Sequence, residues 1–354
     1  MKVIHIESGL GNQMLSYCEY LALKKMNPND DFYLETVIYD IPECNEVICQ
    51  WNGYELERVF GIKEPKNIRS LFTDEPWQDI MSDIRKSEFW LHNWNWPVYF
   101  QQAFAENGLL LKNSRGDFEA KGHSFVGIDV NRKRGMRDLV RNTDIYRYLQ
   151  MKKNWNENIK KAKDYTNESV HFYQSDENEL TGQRLSFKFI NSGIEYIENE
   201  IRRIFTFPAI HDDHNAEMLR YIQGCNSVAI HARRGDMTGF NYPLYRFGYF
   251  RRCISFIRSQ VDNPEFFIFC DPDSVSWAHE NSSILGLNFK NDKIHFIDWN
   301  KSSESFRDMQ LMTACKHQII TQSSFGWWGA WLNTFPGKIT CSPNPLINTT
   351  HHFK

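Results

Sequence analysis

Two adjacent arginines follow an apolar run in the second half of the chain. Residues 227–232, Ser-Val-Ala-Ile-His-Ala, predict a buried strand, and Arg233 and Arg234 come directly after it. Two guanidinium groups at the end of a buried strand are costly unless an anion binds there. A guanidinium matches two phosphate oxygens and keeps its proton. The pattern therefore predicts a site for an anionic group, with a salt-bridged turn to Asp236 as the alternative.

Two serines stand before a tryptophan-rich segment. Ser323 and Ser324 precede a predicted helix over 325–332, whose tryptophans we assign to the core. The free backbone N–H groups at a helix start, together with two hydroxyls, bind anions well. Taken alone, the serines fit ordinary N-capping equally. Together with Arg233 they favour an anion site.

Motifs for metal and dinucleotide binding are weaker. Asp271 and Asp273 form a D-x-D pattern at the end of a predicted strand, where they could hold a divalent cation or belong to a capped turn. Residues 211–214, His-Asp-Asp-His, could ligate a metal but are more typical of a helix start. Gly9-x-Gly11 follows the first strand, yet Met14 stands where a dinucleotide-binding fingerprint has its third glycine. We expect neither a metal nor a dinucleotide cofactor.

The elements that must position these residues follow an α/β rhythm. A strand over 2–6 is followed by the glycine turn and a helix over 12–25, and Phe32 resumes a strand. From Asp213, which is expected to cap a helix, strands and helices alternate again. The predicted strands are 227–232, 266–270, 293–297 and 318–321, and the predicted helices are 213–224, 247–259, 304–315 and 325–332. In such doubly wound sheets ligands bind at the carboxyl ends of the strands, where the arginines, Asp271 and the serines fall.

Composition bounds the function. The chain has 354 residues, a net charge of −3 and 41% apolar residues, which exclude a nucleic-acid binder held by bulk positive charge. No apolar run approaches the length of a membrane span, and the N-terminus becomes polar too soon for a signal peptide. The eight cysteines form no C-x-x-C pair, so we expect reduced thiols in a cytoplasmic protein.

Residues 101–199 differ from the rest. They are polar and rich in Lys and Asn, and we interpret them as an irregular or helical insertion. The basic run 132–137 could be a solvated surface. It could also attract an anionic substrate or the anionic inner face of a membrane, giving a peripheral contact.

Several segments together resemble glycosyltransferase family 11, the α-1,2-fucosyltransferases. The similar segments are 9–14 (Gly-Leu-Gly-Asn-Gln-Met), 53–60, the aromatic 94–100, 228–236 ending in Arg-Arg-Gly-Asp, 308–317 and 323–332. The similarity covers about residues 1–100 and 200–345. It departs at Met237, where the family has tyrosine, and at 101–199, where the family has no comparable insertion.

The resemblance implies a fold and a donor. The fold would be α/β, with two Rossmann-like domains facing across a cleft (the glycosyltransferase B type). The domains would be 1–212, which includes the insertion, and 213–354. The donor would be GDP-fucose, with inversion at the anomeric carbon and neither a metal nor a cofactor. The residues implied to bind the donor are Gly11, Asn12, His231, Arg234, Asp308, Ser323, Ser324 and Phe325.

The same resemblance suggests roles in the reaction. Arg233 would hold the β-phosphate, and Asp308 would accept two N–H bonds from guanine, a pattern that adenine and uracil do not offer. Asp236 is our candidate base for the acceptor hydroxyl, unless it only positions an arginine. Trp94 and Trp96 would contact the acceptor.

The acceptor is expected to be an oligosaccharide or lipid-linked glycan, modified at O2 of a galactoside. Two other hypotheses stay open. One is a metal-dependent transferase that uses Asp271 and Asp273 with another nucleotide sugar. The other is a non-catalytic glycan-binding protein that uses Trp90, Trp94 and Trp96.

Overall fold

The computed structural model describes residues 1–44, 52–91, 97–113, 177–181, 197–271 and 274–343, with scattered positions between 136 and 153. The chain divides into two compact units on either side of residue 206, and the scattered positions belong to the second unit. The sequence placed this boundary after residue 212.

The first unit contains a parallel four-stranded sheet. Its strands are β1 (Lys2–His5), β2 (Phe32–Glu35), β3 (Lys112–Asn113) and β4 (Glu179–Thr181), in the order β2-β1-β4-β3. Its helices are α1 (Leu10–Met26), α2 (Leu56–Phe60), α3 (Asp74–Lys86), α4 (Pro97–Glu106) and α5 (Glu198–Ile204). The first strand and helix lie where the sequence predicts them, with α1 beginning two residues earlier.

Strand β4 comes from the polar region 101–199. It pairs directly with β1, with Lys2 opposite Glu179, and all three of its residues are buried. The interpretation of 101–199 as irregular or helical was therefore wrong here. Three residues are too short a run for a period-2 pattern to be recognised.

The second unit contains a parallel five-stranded sheet. Its strands are β5 (Ser227–Ala232), β6 (Glu265–Cys270), β7 (Ile294–Ile297), β8 (His317–Ile320) and β9 (Thr340–Cys341), in the order β7-β6-β5-β8-β9. The chain moves outward from β5 through β6 to β7, then returns to the other side of β5. The order reverses between β5 and β8, and ligands bind at the strand ends beside such a reversal. The predicted α/β class with parallel sheets is confirmed.

Helices cover both faces of this sheet. They are α6 (Asp213–Gly224), α7 (Thr238–Arg246), α8 (Tyr249–Gln260), α9 (Val275–Glu280), α10 (Ser282–Leu285), α11 (Phe306–Ala314) and α12 (Ser324–Leu332). The cap of α6 is Asp212 rather than the predicted Asp213, because the Asp212 side chain accepts the N–H of Asn215 at 2.8 Å. Helix α7, which contains Pro243, was not predicted.

The remaining expectations concern cysteines and membranes. None of the seven cysteines among the described residues forms a disulfide, and Cys18, Cys44, Cys253 and Cys315 are buried. No helix in the described part of the chain combines the length and the apolar character needed to span a bilayer.

Helix α12 lies unusually close to its neighbour α11. A Cβ atom on Gly329 would come within 2.8 Å of Met312 Cε and 3.0 Å of Met312 Cβ. The glycine therefore lets the two helices approach, and this approach fixes where the N-terminus of α12 lies over the sheet.

We predict that Gly329→Ala destabilises the protein. Overpacking costs about 1–3 kcal/mol, partly offset by the higher helix propensity of alanine, so the Tm should fall by roughly 2–6 °C. Thermal unfolding measures it. Gly224→Ala is the matched control, since no atom lies within 4 Å of its new Cβ. Equal Tm values for the two variants would show that the close approach of α11 and α12 is not required.

Candidate functional site

The ends of β5 and β8 are joined by one hydroxyl. The backbone N–H of Arg233 donates to Thr321 Oγ1 at 3.1 Å, and Thr321 Oγ1 donates to the carbonyl of His231 at 3.0 Å. Residue 321 is the first after β8, and residue 233 is the first after β5. The hydroxyl thus extends the hydrogen bonding between β5 and β8 by one residue beyond the strands, and it fixes the backbone direction at Arg233.

Arg233 is paired with Asp271. Its Nη1 forms an ion pair with Asp271 Oδ1, and Asp271 Oδ2 accepts the backbone N–H of Arg234 at 2.8 Å. Strand register explains why Asp271 is the partner. Ala232 and Cys270, the last residues of β5 and β6, lie opposite each other, so the residues that follow them, Arg233 and Asp271, are neighbours. The sequence had named Asp236 as the alternative partner. Both charged side chains keep only 14% and 12% of their exposure, so the pair defines a rigid, partly desolvated guanidinium.

The turn after Arg233 is held from the other side. The carbonyl of Arg233 accepts hydrogen bonds from Asn241 Nδ2 at 3.1 Å and Tyr245 Oη at 2.9 Å. Asn241 Oδ1 in turn accepts the N–H of Gln322 at 3.0 Å. Helix α7, missed by the sequence, therefore ties the end of β5 to the start of the α12 turn.

Arg234 lies over two aromatic rings. Its guanidinium carbon is 3.6 Å from the Trp277 ring centre and 5.4 Å from that of Tyr245. A guanidinium stacked in this way gains cation–π attraction. The contact gives the predicted donor-binding residue a structural role beside any role toward a ligand.

His231 is buried under the first turn of α12. A Cβ atom on Gly326 would lie 2.8 Å from His231 Cγ, and the ring of Phe325 stacks on the imidazole with centroids 5.9 Å apart. Burial, with the positive charge of Arg233, lowers the pKa of His231 to about 3. The imidazole is therefore neutral at working pH, and it supports the helix start rather than supplying charge.

Ser323 and Ser324 lie at the start of α12, as predicted. Ser323 is the N-cap and both serines are partly exposed. The Ser323 side chain makes no capping hydrogen bond to this helix start, and the first turn carries no acidic residue. A helix start whose first turn holds no carboxylate suits an anion.

Asp308 lies in the first turn of α11. Asn300 Nδ2 donates to its Oδ1 at 2.8 Å. Burial raises the pKa of Asp308 to about 7, opposed by the Asn300 hydrogen bond and helped by the charge of Asp298. Asp308 is close enough to Cys270, the last residue of β6, to raise the pKa of its thiol. Arg233, the start of α12 and Asp308 therefore all lie at the carboxyl edge of one sheet.

The first unit holds the predicted Gly11 and Asn12 in the first turn of α1. Gly11 is buried, and the N–H of Asn12 donates to the carbonyl of Gly9 at 2.9 Å. The preceding Ser8 has a positive φ of 66°. Its carbonyl accepts hydrogen bonds from Gln13 Nε2 at 2.9 Å and Tyr39 Oη at 2.6 Å. A strained residue held by two side chains makes this turn rigid.

A buried histidine at the end of β1 was missed by the sequence reasoning. His5 hydrogen-bonds to Glu35 through Nδ1, and its Nε2 lies 3.2 Å from Glu7 Oε2. Burial alone would lower its pKa, but the two carboxylates raise it. Thr321, Asn241 and Asn300 were also missed. A polar residue directly after a strand was the available signal for Thr321, whereas the other two carry no motif.

Some predicted residues lie outside the described ones. Trp94, Trp96 and Asp273 are among them, as is the basic run 132–137 apart from Met136. The backbone of Asp236 lies in a short 3-10 turn, Gly235–Met237, but its side chain is not described.

A metal site finds no support in the part of the chain that is described. No group of three or more His, Cys, Asp or Glu side chains there is arranged to hold an ion. The helix-start interpretation of residues 211–214 is confirmed, because Asp212 caps α6 and His214 stacks on Trp299 with centroids 3.8 Å apart.

The model of the family described as "Glycosyl transferase family 11" matches residues 128–349. The matched region exceeds half of the chain. The chain belongs to glycosyl transferase family 11. The family predicted from the motifs is thereby confirmed.

Curated relatives are similar over part of their length. The Escherichia coli α-1,2-colitosyltransferase is 33% identical over 153 residues, 42% of this chain and 50% of that protein. The Escherichia coli O-antigen biosynthesis glycosyltransferase WbnK is 35% identical over 127 residues, 34% of this chain and 39% of that protein. The Bos taurus galactoside 2-α-L-fucosyltransferase SEC1 is 28% identical over 163 residues, 43% and 41% of the two chains. This chain therefore spans half or less of the length of these relatives.

Among solved structures, the fucosyltransferase NodZ from Bradyrhizobium aligns with 93% of this chain and 91% of its own. The TM-score is 0.42 and the identity 10%, and a likeness that distant transfers no residue role to this family 11 member.

We predict that Arg233→Lys loses most sugar-transfer turnover while the protein stays folded. Lysine keeps the charge beside Asp271, but its compact ammonium cannot reproduce the planar fork. Loss of one preorganised donor costs on the order of 3–4 kcal/mol of transition-state stabilisation. Initial rates measure turnover, and thermal unfolding checks the fold. Near-normal turnover in the folded variant would refute the requirement for a guanidinium.

Proposed function

We propose that this family 11 member transfers L-fucose from GDP-fucose to a hydroxyl of a glycan, with inversion at the anomeric carbon and without a metal. The observation that carries the proposal is that Arg233 and the start of α12 follow β5 and β8, the two strands between which the strand order reverses. An arginine held by Asp271 and a helix N-terminus form a diphosphate site. The relatives named for fucosyl and colitosyl transfer support the class of sugar.

Cleavage of the bond between C1 and the phosphate oxygen builds negative charge on the leaving GDP. Arg233 would stabilise this charge, because Asp271 and the Thr321 hydrogen bond already hold its position. The N–H groups and hydroxyls at Ser323 and Ser324 would act on the same diphosphate. Donors fixed before the reaction stabilise the transition state without reorganising.

Asp308 is the residue that favours a guanine nucleotide. Asn300 Nδ2 donates to Asp308 Oδ1, and each carboxylate oxygen still has a lone pair for another donor. Guanine offers two parallel N–H groups, N1–H and the 2-amino group, to a carboxylate, whereas adenine and uracil do not. His231 and Phe325 would lie beside the nucleoside, under the start of α12.

The acceptor end of the proposal rests on the relatives and on residues outside the described ranges. We propose O2 of a galactoside, in an oligosaccharide or a lipid-linked glycan, since the relatives are named for α-1,2 and galactoside transfer. Trp94 and Trp96 would contact this acceptor, and Asp236 would take its proton. Asn12, in the rigid turn of the first unit, would approach the sugar.

Two other functions receive less support. In a metal-dependent D-x-D transferase Asp271 would bind the cation, but its two oxygens already accept from Arg233 and from the Arg234 N–H. A non-catalytic glycan-binding protein would have no use for the fixed guanidinium, the serine pair at the start of α12 or Asp308.

The test is titration calorimetry of the full chain with GDP, UDP and ADP, each with EDTA and with Mn²⁺. We expect GDP to bind with equal affinity in both conditions and to bind more tightly than the other two. A preference for UDP, or binding that requires Mn²⁺, would contradict the proposal and direct mutagenesis to Asp271 and Asp273.

The pKa of Asp308 predicts how donor binding depends on pH. Only the carboxylate accepts the two guanine N–H bonds, and in the free protein the carboxyl protonates as the pH falls through about 7. Affinity should therefore be full above pH 7 and fall below it, roughly 30-fold from pH 8 to pH 5.5. GDP-fucose is the ligand to titrate, because its diphosphate has no group with a pKa near neutrality.

Asp308→Asn is the control for this pH dependence. Its amide does not titrate, so the variant should bind GDP-fucose weakly at every pH between 5.5 and 8. A wild-type affinity that is constant over this range would contradict the assignment of Asp308 to guanine.

A further inference from the structure

A chain of hydrogen bonds leads from the cap of α6 to Asp308. Asn215 Nδ2 donates to Asp212 Oδ2 at 3.1 Å and to Asn300 Oδ1 at 2.8 Å. Asn215 Oδ1 accepts from Trp299 Nε1 at 2.9 Å and from Asn300 Nδ2 at 3.1 Å. The last bond runs from Asn300 Nδ2 to Asp308 Oδ1 at 2.8 Å. The two asparagines therefore form a reciprocal amide pair in which every amide N–H is used.

The two groups at the far end fix the direction of every bond. An indole N–H can only donate, and an ionised carboxylate can only accept. Trp299 therefore requires the oxygen of Asn215 on its side, and Asp212 requires the nitrogen. This orientation requires the oxygen of Asn300 to face Asn215 Nδ2. The remaining N–H of Asn300 must then point at Asp308.

Burial makes this orientation durable. Asn215 is 4% exposed and Asn300 is 8% exposed, so water cannot readily replace a lost partner. A reversed amide would leave buried donors facing donors, at about 1–3 kcal/mol for each unsatisfied group. Trp299 is itself held by the stacked ring of His214.

We propose that Trp299, Asn215 and Asn300 are positioning residues that determine nucleotide-base specificity, by holding Asp308 as a hydrogen-bond acceptor toward the ligand. The inference rests on the proposed function, since it assumes that Asp308 contacts guanine. A donor facing Asp308 favours its ionised form, which accepts from guanine. A reversed relay would favour the protonated form, which would give its single O–H to the Asn300 oxygen and leave only a weaker, neutral acceptor for guanine.

The other groups that act on Asp308 do not supply this polarity. Asp298, which follows β7, is exposed and its charge favours the protonated form. Cys270, at the end of β6, is a thiol whose pKa is raised to about 12 by burial and by nearby carboxylates. Arg307, the neighbour of Asp308 on α11, acts on Asp212 and hydrogen-bonds to Gln310 and the carbonyl of Pro208. The Asn300 N–H is thus the contact that favours the Asp308 carboxylate.

The test is Trp299→Phe in the full chain, which keeps an aromatic ring against His214 and removes the N–H that sets the orientation, together with one ring of the indole. Affinities for GDP, IDP and ADP are measured by calorimetry, and for GDP-fucose as a function of pH. We expect the GDP-to-ADP affinity ratio to fall about tenfold and the GDP-to-IDP affinity ratio to move closer to one. The pH midpoint of GDP-fucose binding should move upward. A structural defect alone would weaken all nucleotides alike and leave the midpoint in place.

Tyr221→Phe is the matched control. Tyr221 lies on α6, the helix that carries Asn215, and its substitution also removes one aromatic donor, which forms the 2.8 Å hydrogen bond to Glu265. This variant should keep the wild-type ratios and midpoint.

A second variant, Asn300→Ala, deletes the last donor and should raise the midpoint further. The relay is refuted if wild type binds GDP and both Trp299→Phe and Asn300→Ala keep its nucleotide affinity ratios within twofold and leave the pH midpoint of GDP-fucose binding unchanged. If wild type does not bind GDP, the proposed function itself fails.

Discussion

The structure of the candidate site depends on one hydroxyl between the two strands where the sheet reverses its order. Thr321 Oγ1 accepts the N–H of Arg233 and donates to the carbonyl of His231. It therefore fixes the end of β5 and the position of the Arg233 backbone. The same register places Asp271 beside Arg233. Because a parallel sheet brings all its carboxyl ends to one edge, these constraints also place the start of α12 and the first turn of α11 at that edge.

Polar groups at this edge are held in chemically defined states. The guanidinium of Arg233 is held in place, and the imidazole of His231 is neutral. For Asp308, burial raises the pKa and the hydrogen bond from Asn300 lowers it. Burying such groups does not in general stabilise a fold. Their arrangement suits the proposed ligand. Its anionic group would face Arg233 and the start of α12, and its hydrogen-bonding base would face Asp308.

Much of this could be predicted from the sequence, where long patterns decide the outcome. Strand 227–232 was predicted with its observed bounds because all six residues are buried, and the serine pair was placed at a helix start. The cap of α6 moved by one residue because Asp212 and Asp213 have equal capping chemistry. Helix α7 was missed because Pro243 lies inside it. The Asp271 partner, 38 residues from Arg233, and the Asn300 contact depend on strand register and helix packing, which a local pattern does not contain.

The most direct test of the account compares GDP with GMP, which lacks the β-phosphate, in wild type and in Arg233→Lys. If Arg233 holds the β-phosphate, wild type binds GDP much more tightly than GMP. The variant should then lose at least tenfold of that ratio, while its affinity for GMP stays the same. An unchanged ratio would contradict the account, because it would show that the arginine at the strand-order reversal does not bind the diphosphate.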